Sequence, residues 1–229
     1  MRAKKLRWYR VGHDTDLRRV ADSFQALGYS DDEGAGFEIL DLKDRSVLGR
    51  YIERQVVKLE IRHPFGDVDE ITSVKYVSFD FEIIEILSAR FLLKIESPPA
   101  SIKGFVARLA ELFGMGFSIS AVTFDIVGVL NYLEENETLS RYEIPKVSAS
   151  SITLGKSSTA KVELTSSGNA YSDLSNEYGP GGYRLDKVLI NARIHGDNEV
   201  LEIARSGLAS STPGFQLLMD DYVKDVAFS

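Results

Sequence analysis

The chain has 229 residues, with 34 acidic against 27 basic side chains and a formal net charge of -7 at pH 7. Its 44% apolar and 27% charged residues are typical of a soluble globular protein, and the negative balance disfavours binding to duplex nucleic acid. The absence of cysteine excludes a disulfide scaffold, a thiol nucleophile and cysteine-ligated metal sites, and it fits a reducing cytoplasmic location.

The first half of the chain predicts several strands and two helices. Apolar residues at helical spacing over residues 17–27 predict a helix, with Asp14 as its N-cap and Gly28 as its end. A second apolar stripe covers residues 102–113. Strand patterns lie at residues 6–11, 37–42, 57–61, 77–83 and 91–95. The third and fourth of these alternate apolar with polar side chains, which predicts an antiparallel hairpin with a longish loop.

The second half predicts further strands, a short helix near residues 127–136 and a C-terminal helix over residues 215–226. The latter follows Thr212-Pro213, which is typical of a helix entrance. Strand patterns lie at residues 117–126, 160–164, 187–195 and 199–204. A tight turn is expected at residues 196–198, and the Ser- and Gly-rich residues 166–182 predict a long exposed loop.

The two halves of the chain resemble each other. Both give the order strand, helix, three or four strands, helix, and both begin the last helix with Gly-Phe, at Gly104 and Gly214. We therefore predict an α+β fold of two similar modules, residues 1–114 and 115–229, with mainly antiparallel sheets and helices packed on one face. Chance similarity between alternating strands, or one fused domain, is the alternative.

Membrane, metal and catalytic signals are absent from the sequence. No apolar run approaches the ~20 residues of a spanning helix, and the basic start is not followed by the apolar stretch of a secretory leader. His13, His63 and His195 form no metal-ligand spacing, and no P-loop or nucleophile elbow occurs. Asp67 and Asp69 are the best acidic pair for a metal, but solvated loop charges are the default interpretation. We predict no catalytic residue, no metal and no cofactor.

Two segments are candidate binding sites. The first consists of Tyr178, Gly179, Gly181, Gly182, Tyr183 and Arg184. Aromatic side chains with arginine on a glycine-rich loop are typical of a protein-contact surface. The tract Gly179-Pro180-Gly181-Gly182 also offers backbone amides for an anion nest, and a flexible approach to a hairpin is the alternative.

The second segment consists of Lys4, Lys5, Arg7, Trp8 and Arg10. Interleaved basic and aromatic residues are typical of sites that hold single-stranded nucleic acid. The competing interpretation is an edge strand that Lys and Arg protect against aggregation, with Trp8 packed inward.

These observations predict a non-enzymatic cytoplasmic binding protein that recognises a protein or other macromolecular partner, or that assembles with itself. A toxin-neutralising or defence-accessory role would suit such a protein. One alternative is a small-molecule sensor with a ligand cleft between the two repeats. The other is a nucleic-acid-processing nuclease that uses His63, His195 and the Asp67/Asp69 pair.

Overall fold

The computed structural model describes residues 2–66, 68–154, 157–179 and 181–228. It contains helices and antiparallel strands, so the predicted α+β class is confirmed. The helices are α1 (Leu17–Ala26), α2 (Lys103–Phe113), α3 (Ile126–Glu134), α4 (Ala170–Tyr178) and α5 (Pro213–Val226). The strands are β1 (Lys4–Gly12), β2 (Ala35–Leu42), β3 (Ser46–Arg62), β4 (Val68–Leu87), β5 (Arg90–Glu96), β6 (Ser118–Ala121), β7 (Leu139–Thr153), β8 (Thr159–Thr165), β9 (Arg184–Ile194), β10 (Asp197–Ala204) and β11 (Leu208–Ser211).

The chain divides into two compact units. The central unit comprises residues 10–120, and the split unit comprises residues 1–9 together with residues 121–229. Residues 1–9 therefore belong with the second half of the chain, whereas the sequence places them with the first. A module boundary near residue 115 stays a prediction.

In the central unit, β2, β3, β4 and β5 are neighbours in that order, and each is antiparallel to the next. Phe24 of α1 and Phe105 of α2 pack against aromatic rings of these strands, so both helices cover the same face. On the opposite face Arg50 pairs with Asp80 at 2.7 Å and with Glu38 at 3.5 Å. Aromatic packing thus forms the core on one side, and exposed ion pairs cover the other.

Helix α1 begins one residue after Asp16, not after Asp14. The Asp16 carboxylate accepts a 2.8 Å hydrogen bond from the backbone N–H of Arg19, which is the bond expected of an N-cap. The prediction of Asp14 was wrong because Leu17, the first apolar residue of the stripe, directly follows Asp16. The helical stripe itself is confirmed, as is the end of α2 at Gly114, whose φ is 68°.

In the split unit the strand order is β1, β11, β10, β9, β7, β8, again with antiparallel pairing. Trp8, Leu201 and Phe215 are fully buried in its core. Ile194 lies opposite Asp197, so β9 and β10 are joined by a two-residue turn at residues 195–196. Both turn residues have positive φ, 52° and 92°, as a type I′ turn requires. The turn therefore lies one residue earlier than the sequence predicts.

Residues 166–182 differ from the expected long loop because they contain α4. Its N-cap is Asn169, whose side chain accepts hydrogen bonds from the backbone N–H groups of Tyr171 and Ser172 at 3.0 and 3.1 Å. Serine and asparagine compete with the backbone for hydrogen bonds and so have low intrinsic helix propensity. The buried side chains of Ala170 and Leu174 hold the helix against the unit despite that composition.

Candidate functional site

A two-stranded hairpin extends beyond the central sheet. Strand β3 pairs with β2 only as far as Glu53, and β4 pairs with β5 only from Phe81 onward. Further out, β3 and β4 pair with each other from Gln55 opposite Lys75 to Arg62 opposite Val68. We call residues 55–62 and 68–75 the arm. Because an isolated two-stranded hairpin is only marginally stable in water, contacts that cover the arm would stabilise it.

One face of the arm, the apolar face, carries a contiguous set of exposed aliphatic side chains. Residues directly opposite in an antiparallel pair share a face. The opposed pairs on this face, from base to tip, are Gln55–Lys75, Val57–Ser73, Leu59–Ile71 and Ile61–Asp69. Leu59 is 55% exposed, Ile71 49% and Ile61 42%. Exposed apolar side chains that adjoin one another are typical of interaction surfaces.

The opposite face of the arm, the charged face, satisfies its charges internally. Lys58 Nζ lies 2.8 Å from a carboxylate oxygen of Glu70, and Arg62 lies 3.7 Å from Glu60. Val56 and Val74 face each other near its base and are about half exposed. The ion pairs lie between these valines and Val68, which is opposite Arg62 at the tip and 57% exposed, so they divide the aliphatic surface of this face into two parts.

The base of the arm is anchored in the aromatic core. The Tyr51 hydroxyl donates to Glu53 at 3.2 Å, and the Gln55 side-chain amide donates to the same carboxylate at 3.0 Å. Burial, with the nearby Glu53 charge as a smaller cause, raises the pKa of Tyr51 well above its usual value. The Glu53 carboxylate also lies against Gly104 in the first turn of α2. These contacts hold β3 in place at the point where it leaves the central sheet.

The tip of the arm carries His63, whose Nε2 lies 2.9 Å from an Asp69 oxygen, and Phe65, which is 96% exposed. Asp67, the predicted partner of Asp69 in a metal pair, lies outside the described residues. Within the described part of the chain, no three His, Asp or Glu side chains converge in a way that would hold a metal ion. His195 lies in the turn of the split unit, and the His13 ring packs against Phe113 at 5.1 Å between centroids.

The predicted glycine-rich site is a connection between α4 and β9. Tyr178 ends α4, and Gly179 and Gly181 have φ values of 72° and 85°. An added Cβ at Gly182 would strike the Tyr178 carbonyl, so only glycine fits there. Pro180 lies outside the described residues.

Two of the three large side chains of this predicted site, Tyr183 and Arg184, already have partners. The Tyr183 hydroxyl is 2.6 Å from the Ser175 hydroxyl, which ties the connection back to α4. Arg184 donates to Ser150 at 3.0 Å and lies 3.4 Å from Asp186. These contacts hold both side chains in place, and a binding role for the connection stays a prediction.

The predicted basic-aromatic segment is split by burial. Trp8 is fully buried, packs edge-on against Phe124 and donates from its indole nitrogen to Asp220 at 3.0 Å. Its ring is therefore not available to stack on a base in this structure. Lys4 and Lys5 are exposed, Arg7 and Arg10 are half-buried, and the guanidinium of Arg7 lies 5.5 Å from the Tyr9 ring centroid.

The split unit contains an open cavity of about 730 Å³. Arg184 and Arg205 line it together with Asp125 and Asp186, and the first residues of α3 form part of its wall. The volume lies in the range of small-molecule sites, but such sites are usually lined mainly by apolar groups. A lining with both charge signs favours a ligand that also carries both.

No known protein family matches the chain, and no curated protein matches its sequence. Among the described residues, no helix combines the length and apolar character that crossing a membrane requires.

Sequence reasoning identified one strand of the arm, at residues 57–61, but placed residues 68–75 outside the second predicted strand and did not predict the exposure of either face. The available signal was strand length: the alternation at residues 57–61 and 77–83 belongs to strands of 17 and 20 residues. Typical strands have about five or six residues, so these two necessarily outrun shorter neighbours such as β2 and β5, which have 8 and 7 residues.

Proposed function

We propose that this protein is a non-enzymatic binding protein that recognises a macromolecular partner, or assembles in a complex, through the arm. The observation that supports the proposal is the run of half-exposed Leu59, Ile61 and Ile71 on a hairpin that no neighbouring strand covers among the described residues. A cytoplasmic location, expected from the absence of cysteine, is part of the same proposal.

Covering the arm would remove apolar side chains from water and would stabilise the hairpin at the same time. Full burial of a leucine or isoleucine is worth about 1.5–3 kcal/mol, so each half-exposed side chain stands to gain roughly 1 kcal/mol. The outer edges of β3 and β4 in the arm also present backbone groups that a partner strand is able to pair with. A small molecule would cover only part of so extended a surface, so the arm favours a macromolecular partner.

The proposal is tested by placing a photo-crosslinking amino acid, benzoylphenylalanine, at Ile71 in the protein expressed in cells. The matched control carries it at Leu217, which is 70% exposed on α5. We expect discrete adducts from Ile71 and none from Leu217. Equal yields from the two positions, or no adduct from either, would contradict the proposed function.

A second candidate function, small-molecule sensing, is favoured by the 730 Å³ cavity. The two arginines and two aspartates that line this cavity suit a small zwitterion such as an amino acid. A ligand that binds only the native state raises the melting temperature with concentration. We expect such a shift in the wild type and its loss in Arg205→Ala; unchanged melting throughout an amino-acid panel would exclude this candidate.

We also propose that the two units derive from a duplicated module. The correspondence pairs α1, β2, β3, β4, β5, α2 with α3, β7, β9, β10, β11, α5, and it treats β8 and α4 as an insertion. In both series the four strands are spatial neighbours in the order given. An experimental structure in which the strands superpose only in another order would contradict the duplication.

A further inference from the structure

We infer that the apolar face of the arm binds the same face of a second copy of this chain, with the two arms antiparallel. This inference rests on the proposed function, because it names the partner of the same surface. It is carried by the order of side chains along the face, by the internal pairing of charges on the other face, and by the area available.

The charges on the apolar face are complementary to themselves when one arm is reversed. Lys75 lies at the base and Asp69 at the tip, and both are on β4. A twofold axis across the middle of the face places the base of one arm over the tip of the other. Each Lys75 then meets the second copy's Asp69, once at each end of the interface. In a parallel arrangement one arm is turned about the strand direction, so Lys75 would lie over the second copy's Gln55 and Asp69 over its Ile61, and neither charge would gain a partner.

The aliphatic side chains are also matched in the antiparallel arrangement. The middle of the face holds Val57, Leu59, Ile71 and Ser73, so reversal lays Val57 over the second copy's Leu59 and Ile71 over its Ser73. Side chains of two packed sheets interdigitate over a layer about 10 Å thick. The charged pairs would lie at the two ends and the apolar pairs between them, which is the usual arrangement of a polar rim around an apolar interior.

The charged face also carries half-exposed Val56, Val74 and Val68, but its charges are already paired within the arm and are not available to orient a partner. Lys58 already pairs with Glu70 at 2.8 Å and Arg62 with Glu60 at 3.7 Å. By contrast, Lys75 forms no ion pair with any described residue under a 4.0 Å limit. Asp69 contacts His63 through one oxygen and is 70% exposed, so it retains acceptor capacity. The charge of Lys75 at the base of the arm and the exposed charge of Asp69 at its tip therefore both lie on the apolar face.

The small area of the apolar face limits the affinity of the dimer. A standard interface takes about 20–30 residues from each partner, whereas the apolar face supplies four opposed pairs of side chains. We therefore expect a reversible dimer with a dissociation constant on the order of micromolar rather than an obligate one.

The experiment is analytical ultracentrifugation of the full chain from about 1 to 100 μM. The variants are Lys75→Glu, Asp69→Lys and the double variant with both changes. Each single change makes both end contacts repulsive, and the dissociation constant should rise about tenfold. The double variant restores attraction only if the arms are antiparallel, so its dissociation constant should return to near the wild-type value.

Two control variants separate this interface from general effects of charge or of tip structure. Lys58→Glu makes the same charge change on the charged face and should leave dimerisation unchanged. His63→Ala removes the contact to Asp69 without altering the end charges and should also leave it unchanged.

A monomer at every concentration, failure of the double variant to recover, or equal weakening by Lys58→Glu would overturn the inference. The cross-linking experiment distinguishes this failure from failure of the proposed function. Adducts from Ile71 to a different macromolecule, with a monomer in the centrifuge, would leave the proposed function standing and exclude the second copy as the partner.

Discussion

Replacement of Phe105 by alanine tests whether the aromatic cluster holds the central unit together. Phe105 is fully buried, and its ring centroid lies 5.2 Å from Phe81, 5.3 Å from Tyr51 and from Phe79, and 6.0 Å from Phe37. Removing it deletes a ring that touches three strands at once and leaves a cavity at the middle of the cluster.

Buried Phe→Ala replacements cost about 3–5 kcal/mol, depending on how far the site collapses. The surrounding groups here are rigid rings on paired strands, which limits collapse, so we expect about 4 kcal/mol. That loss corresponds to a factor of about 1,000 in the unfolding equilibrium of the unit, since 1.36 kcal/mol is a factor of ten.

Native-state hydrogen exchange with mass spectrometry measures this loss in peptides from residues 10–120. Protection in the slowest peptides should fall by about three decades in Phe105→Ala. Phe65→Ala removes the same side chain where it is 96% exposed, and the expected loss is below about 0.5 kcal/mol. A loss under about 1 kcal/mol for Phe105→Ala, or equal losses for the two variants, would refute the reasoning.

Three further predictions concern the split unit. Trp8→Phe removes the 3.0 Å hydrogen bond to Asp220 and should lower the free energy of unfolding by about 1–2 kcal/mol in urea titrations, with a smaller loss for Asp220→Asn. Gly207→Ala should cost more than about 2 kcal/mol because φ is +88° and a Cβ would strike a backbone carbonyl, whereas Gly196→Ala, with φ +92° and open space, should cost about 1 kcal/mol. Burial raises the pKa of the Tyr142 hydroxyl above the usual tyrosine value of about 10, so the neutral phenol contributes stability that is complete below about pH 10 and is lost as the pH rises further. Urea midpoints at about pH 9 and 11 should differ less in Tyr142→Phe than in the wild type.

The helices that the sequence predicts have continuous apolar stripes, and the structure confirms α1, α2, α3 and α5 close to the expected residues. Helix α4 escaped because its stabilising contacts, Ala170 and Leu174 in the core, are tertiary and its composition is polar. Residues 57–61 (Val-Lys-Leu-Glu-Ile) resemble residues 160–164 (Ala-Lys-Val-Glu-Leu) in sequence, which would make β8 the counterpart of β3. In the strand correspondence that we propose, however, β8 has no counterpart. Short alternating segments match because every half-exposed strand needs the same pattern.

The pairing of β3 with β4 was predictable, but the arm as an exposed site was not, for a physical reason. Alternation over residues 57–61 states which side chains share a face, but exposure depends on how far β2 and β5 extend alongside. Those ends are set elsewhere: β2 and β3 last pair at Ala35 and Glu53, and β5 and β4 last pair at Ile95 and Phe81. A candidate site that is exposed because the neighbouring strands end early leaves no local motif in the sequence.

The distribution of charge on the arm also limits how many copies such a surface can assemble. A hairpin that was aliphatic along both faces and both edges could add partners without limit, as open assemblies do. Here the Lys58–Glu70 and Glu60–Arg62 pairs interrupt the charged face, while Lys75 and Asp69 favour a single reversed partner on the apolar face. An isologous contact between two such faces uses the aliphatic surface of both copies at once and leaves outward the faces that already satisfy their charges. The same charges that would hold two arms together therefore also close the assembly at two.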